Sequence, residues 1–120
     1  MSEERLKLGR AGEAAAERFL ESLGWRILAR SWRTRMGEVD LIARDGSTVI
    51  FVEVKARSSG RFGPAECAVD RRKQGRIVRA ALAYLQREKL DAPVRFDVVA
   101  LQDGEIRHVK DAFSAQGWTR

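Results

Sequence analysis

GEVDLIARDGSTVIFVEVKAR, residues 37–57, holds two runs rich in apolar and β-branched residues on either side of Asp45-Gly46. An Asp-Gly pair between such runs is a strong hairpin signal, so 38–43 and 48–54 are predicted to be antiparallel strands. With Asp45 and Gly46 as the two loop residues, Arg44 faces Ser47, Ile42 faces Val49, Asp40 faces Phe51 and Glu38 faces Glu53. Side chains alternate along a strand, so Glu38, Asp40, Glu53 and Lys55 share one face, and Val39, Leu41, Ile50, Val52 and Val54 the other.

Three carboxylates on neighbouring strands, beside Ile42, Phe51 and Val49, repel one another in a partly desolvated setting. A divalent cation would remove the conflict. Mg²⁺ takes oxygen ligands and is commonly held by one or two carboxylates with several waters, which makes Asp40 and Glu53 the candidate pair. Lys55, two residues after Glu53 on the same face, would then reach a water on the ion or a substrate phosphate. The competing reading is of edge-strand charges that discourage aggregation.

Asp40, twelve intervening residues, then Glu53-Val54-Lys55 resembles the catalytic signature of the PD-(D/E)xK, restriction-endonuclease-like superfamily. With Gly12-Glu13, the GEVDLI run at 37–42, FVEVKAR at 51–57, Phe62-Gly63, Lys73 and Arg95-Phe96-Asp97, the chain resembles the YraN family, a bacterial group related to Holliday junction resolvases, over about residues 9–113. The resemblance implies a nuclease fold and a metal site drawing on Asp40 and Glu53, with Glu13 from the first helix as a further metal-site carboxylate. It also implies branched DNA as substrate, for which a homodimer making two symmetric cuts would be suited.

The rest of the chain is consistent with such a partner. The 120 residues suit one domain, 1–120, with a loose tail from about 114. With 23 Lys and Arg against 17 Asp and Glu, the net charge is +6, which favours a polyanion such as nucleic acid. No apolar run reaches transmembrane length and 1–10 has no continuous apolar segment, so no membrane association is expected and the cytoplasm is the expected location. The single Cys67 can form no internal disulfide and is a poor nucleus for a zinc site.

Gly12, Ala15, Ala16, Phe19, Leu20 and Leu23 fall at helical spacing, which predicts a helix over 9–23 stopped by Gly24. At 100° per residue Glu13 lies at the edge of this stripe, either leaning over the charged hairpin face or solvated. A strand over 25–32 sets Trp25, Ile27, Ala29 and Ser31 against Arg26, Leu28, Arg30 and Trp32. Arg30, Arg33 and Arg35 follow as a phosphate-binding rim or as solvated loop charges, and Trp32 as a base-stacking or a core residue. The connection over 58–64 is expected to contact substrate. A second helix over 70–89 buries Ile77, Val78, Ala81, Leu82 and Leu85, and its first turns carry Arg71, Arg72, Lys73, Arg76 and Arg79. Cations there oppose the macrodipole, whereas a bound phosphate would be favoured by the free amides and by those side chains.

A strand over 94–101, the Asp103-Gly104 turn and a short strand over 106–109 complete the chain. Asp97 is either a carboxylate supporting the site or the polar residue of a buried strand, and is left out of the site. His108, the only histidine, has no partner in sequence. The fold class is therefore α/β with a restriction-endonuclease-like core, a mixed sheet flanked by helices in the order αβββαββ. The expected activity is Mg²⁺-dependent hydrolysis of DNA phosphodiesters, with Mn²⁺ as the alternative ion. Asp40, Glu53, Lys55 and Glu13 form the site, while Arg35, Arg57, Arg72, Lys73 and Arg76 contact nucleic acid. The alternatives are a nucleic-acid-binding protein that retains the fold without cutting, and a purely structural domain.

Overall fold

The computed structural model describes residues 3–57 and 69–115, with side chains from Gly9 onward except that of Arg57. The element order is α1 (Glu3–Ser22), β1 (Arg26–Arg33), β2 (Glu38–Asp45), β3 (Thr48–Arg57), α2 (Arg71–Glu88), β4 (Val94–Gln102) and β5 (Glu105–Phe113). This is the αβββαββ order expected. The connection at 58–64, Cys67 and the tail beyond Ala115 lie outside the described residues.

One five-stranded sheet runs in the order β1-β2-β3-β4-β5. Only β3 and β4 are parallel, as they must be when α2 carries the chain back across one face. On that face Ile77, Val78, Ala81 and Tyr84 of α2 pack on Ile42, Val49, Phe51 and Phe96. On the other, Ala16 and Leu20 of α1 pack on Leu41, Ala43, Ile50, Val52 and Val99. The charged face of the hairpin therefore belongs to the α2 side. Two residues assigned to helix stripes lie outside the core: Leu23 is past the end of α1 and 44% exposed, and Leu82 is 37% exposed while Tyr84 is buried in its place.

The hairpin register differs from the expected one by two residues. Asp45 pairs with Thr48, Arg44 with Val49, Ile42 with Phe51 and Leu41 with Val52, so Gly46 and Ser47 form the loop. A loop of Asp45-Gly46 would need positive φ at both residues, whereas a loop with glycine first needs it only at Gly46, where φ is 59°. An even shift keeps every side chain on its face. Its consequence is that Asp40, not Glu38, comes opposite Glu53.

In β1 the alternation breaks twice. A bulge between Ile27 and Ala29 brings both Leu28 and Ala29 to the α2 side, and Ser31 has φ 48°. Trp32 lies in the α2-side core on the face of Leu28, as the alternation had it, whereas its partner Val39 joins that core although it was expected on the opposite face. Trp32 is thus a packing residue, edge-on to Tyr84 with its Nε1 donating to the Ala80 carbonyl at 2.8 Å.

Asp97 is a buried anchor. It is 0% exposed and accepts from Arg95 Nε and Nη2 at 2.8 Å each and from the Asp111 amide at 3.0 Å, while His108 Nε2 lies 2.7 Å away. His108 thereby has the partner that sequence could not supply, and sits edge-on to Phe19 and Trp25. Burial disfavours the Asp97 carboxylate, yet the bonds from Arg95, His108 and Asp111 hold its pKa down at about 2, against an ordinary 3.8. A depressed carboxylate pKa stabilises the fold above the unfolded-state value, here by roughly 2 kcal/mol, and that contribution disappears as pH falls from about 4 through 2. Asp97→Ala is expected to cost about 3 kcal/mol in urea unfolding at pH 7. The loss should shrink markedly at pH 2.5; an equal loss at both pH values would contradict this role.

Candidate active site

Backbone pairing between β2 and β3 runs as far as Leu41↔Val52. One residue further, the Val54 amide donates to Asp40 Oδ2 at 2.8 Å, so a side chain takes over where β2 and β3 part. The same step brings the Asp40 carboxyl within hydrogen-bonding reach of Glu53. β3 stays paired to β4 through Arg57, which carries Glu53 and Lys55 rigidly past the fork.

Glu53 is only 3% exposed and receives two ammonium groups, Lys55 Nζ at 3.4 Å and Lys73 Nζ at 2.6 Å. Burial, the neighbouring Glu53 charge and the hydrogen bond to Glu53 push the Asp40 pKa up to about 8. Burial lowers that of Lys55, helped by the adjacent Lys73 ammonium. Burial acts in the same sense on Lys73, but its bond to Glu53 outweighs this and raises it. The result is a titratable cluster at the end of the central strands, of the kind in which acid–base chemistry is performed.

Glu13 is held at the edge of this cluster by the packing of α1. A Cβ on Gly12 would come within 2.8 Å of the Ala56 Cβ, so only glycine lets the helix lie this close to β3. The Glu13 pKa is raised by burial and by the Glu38 and Glu53 charges, which places it within their electrostatic range. Among the described residues no three acidic, histidine or cysteine side chains are close enough to share an ion. The structure thus brings together Asp40, Glu53 and Lys55 and leaves Glu13 as an electrostatic neighbour.

Lys73 is the member whose contact was not foreseen. It was assigned to a basic helix face, yet it lies on the buried stripe, four residues before Ile77, and a cation at such a position needs a buried counter-charge. That spacing was the available signal. α2 is brought to the site by Gly37, where a Cβ would meet the Arg76 carbonyl oxygen at 2.1 Å. The turn before Gly37 is tied by Thr34, whose Oγ1 accepts from the Met36 and Gly37 amides at 3.1 Å each.

The other predicted contacts distribute unevenly. Arg72 and Arg76 line a cavity of about 300 Å³ with Glu38, Asp70, Lys73 and Ile77. Arg35 is exposed in the β1–β2 turn, and the Arg57 side chain lies outside the described residues. Of the expected rim, Arg30 is committed to Glu17 by two 2.6 Å bonds and Arg33 pairs with Glu38 at 3.1 Å. Nor is the α2 N-terminus free for phosphate as expected, because the Asp70 side chain accepts from the Lys73 amide at 2.8 Å.

The profile of the uncharacterised protein family UPF0102 matches residues 12–101. A UPF0102 protein of Thermodesulfovibrio yellowstonii is 42% identical over 109 residues, 91% of this chain and 97% of its own length. The chain belongs to the UPF0102 family. Other UPF0102 members are similar to it as well: one from Geobacter metallireducens is 45% identical over 94% of this chain and 97% of its own, and one from Geotalea daltonii 48% identical over 88% of each. UPF0102 is the YraN family that the sequence resembled. The matched span contains Glu13, Asp40, Glu53, Lys55 and Lys73. No helix of the described residues is long and apolar enough to cross a membrane.

The carboxylate pair of this UPF0102 chain suits a hard divalent cation. Two oxygen donors at the open end of a rigid strand pair match the one or two carboxylates that Mg²⁺ takes. The pair is also unfavourable without a cation. A carboxyl whose folded pKa exceeds its unfolded one keeps a proton that the unfolded chain gives up, so stability falls as pH rises from 3.8 to about 8. Asp40→Asn preserves the acceptor for the Val54 amide and removes the charge. It should raise Tm by several degrees more at pH 8 than at pH 5, and a gain independent of pH would contradict the coupling.

Proposed function

We propose that this UPF0102 protein is a Mg²⁺-dependent endonuclease that hydrolyses DNA phosphodiester bonds, with Mn²⁺ able to replace Mg²⁺. The observation that carries the reading is the Asp40 carboxyl held protonatable to about pH 8 beside a buried Glu53, with the Lys55 ammonium 3.4 Å from Glu53. Placing two carboxylates together at a cost to stability is what a site for a divalent cation requires. The resemblance of Asp40, Glu53-Val54-Lys55 to nuclease signatures points the same way.

In this reading Asp40 and Glu53 hold the ion, with Glu13 acting through water. When bound, Mg²⁺ would acidify a water and offset charge on the phosphoryl oxygens. Lys55, rigid on β3 and easier to deprotonate than an ordinary lysine, orients the attacking water or donates to the phosphoryl oxygen as its charge grows. Arg72 and Arg76 in the cavity, with exposed Arg35, grip the backbone beside the cut. Contacts to phosphate fix position without reading sequence, so the substrate is chosen by shape; branched DNA is the shape the family resemblance suggests. A homodimer would place two such sites for paired cuts.

A second reading has one observation in its favour. Lys55 and Lys73 already offer Glu53 two cations, which would suffice for a nucleic-acid-binding protein that keeps the fold without cutting. Purified protein assayed on branched, flapped, nicked and linear DNA separates the two. Mg²⁺-dependent cleavage is expected on at least one substrate, abolished in Asp40→Ala and reduced about 10²-fold or more in Lys55→Ala. A Lys55→Ala protein as active as wild type would remove the mechanism, and metal binding without cleavage of any substrate would favour the second reading.

The backbone grip has its own signature. With divalent ions omitted, Arg72→Ala and Arg76→Ala should each lower the slope of log K against log salt on duplex DNA by about 0.9, with similar losses on every sequence. Unchanged slopes in both would place the DNA path elsewhere.

A further inference from the structure

Lys73 is tied to Glu53 and yet stands at the wall of the cavity. Its Nζ lies 2.6 Å from Glu53 Oε2, closer than Lys55 at 3.4 Å, and its side chain is 41% exposed against 14% for Lys55. Arg72 and Arg76 line the same cavity. Lys55 is fixed on a strand that stays paired to β4 through Arg57, whereas Lys73 reaches Glu53 on a long flexible stem from α2. Two lysines cannot both stay on Glu53 once a divalent cation approaches it, because the three like charges would then share one buried carboxylate. The half-exposed lysine is the one with somewhere to go.

We propose that Lys73 is a latch on the metal site: in the free protein it holds Glu53, and a DNA phosphate entering the Arg72–Arg76 cavity draws it away, leaving Glu53 to the cation. This rests on the nuclease reading of the carboxylate pair. Phosphate contributes the negative charge that the cluster lacks once a divalent ion is added, and Lys73 exchanges one oxyanion partner for another. Metal and DNA must then strengthen each other's binding by the same factor, since the coupling between two sites is reciprocal. Without the latch, an unloaded enzyme would carry its ion continuously; with it, the ion is held only on substrate.

The test uses Ca²⁺ as an oxygen-seeking probe, titrated calorimetrically into the full-length protein alone and into protein saturated with a four-way DNA junction, gels confirming that the DNA stays intact. In the wild type the junction should tighten Ca²⁺ binding at least fivefold, and Ca²⁺ should tighten junction binding equally in fluorescence anisotropy. Lys73→Met should bind Ca²⁺ about tenfold more tightly than wild type without DNA and lose most of the coupling. Lys73→Arg, which keeps the charge, should retain the coupling. Ca²⁺ binding by wild type that DNA does not change overturns the latch even if Lys73→Met fails to fold. Equal Ca²⁺ affinity in wild type and folded Lys73→Met also overturns it, while leaving the metal site standing. Absence of Ca²⁺ binding to every form, with and without DNA, overturns the latch together with the nuclease reading.

Discussion

Two carboxyl groups brought side by side out of water repel each other, and much of this molecule is arranged around that repulsion. Asp40 and Glu53 meet where β2 leaves β3, and neither can relax away from the other. Asp40 is tied to the Val54 amide, and Glu53 is held by the pairing of β3 with β4. The protein answers with a proton on Asp40 and with the ammonium groups of Lys55 and Lys73 on Glu53. Each answer lowers the net negative charge that the pair would otherwise carry out of water.

The scaffold reaches this point through close approaches that side chains would prevent. Gly12 lets α1 lie on Ala56, and Gly37 lets the β1–β2 turn lie on the Arg76 carbonyl. The first brings Glu13 into the field of the cluster, and the second fixes α2 where Lys73 can reach across. On the α1 side, Asp97 plays a different part with a similar charge. Surrounded by Arg95, His108 and the Asp111 amide, it stays ionised and binds β4 to β5. Two acids of one sheet are thus pushed in opposite directions, Asp40 upward by desolvation and by its carboxylate neighbour, Asp97 downward by its donors.

The Asp-Gly dipeptide and the flanking alternation were enough to find the hairpin, its faces and the shared side of Asp40, Glu53 and Lys55. They missed the loop by one residue on each side, because positive φ at Gly46 alone is less strained than at Asp45 and Gly46 together. The faces survived, Val39 excepted, because the shift was even. β1 was less legible, because a bulge and a left-handed Ser31 interrupt its period, and Val39 of β2, opposite Trp32, was placed on the wrong side. The Arg30, Arg33 and Arg35 rim failed in part for another reason. Glu17 and Glu38, remote or unremarkable in sequence, claim two of its members.

By itself the sequence determined the order of elements, the faces of the central hairpin, the family and the identity of the acid pair with its lysine. These follow from periods of 2 and 3.6 residues, from turn chemistry and from ordered motifs, all of which act over short spans of chain. The tertiary structure alone decided that Asp40 faces Glu53, that Asp97 and His108 form an anchor, and that Lys73 closes on Glu53 instead of a free helix face. Those depend on which groups are buried together from distant segments, and burial is what turns a charge from a solvated ornament into a partner that must be matched.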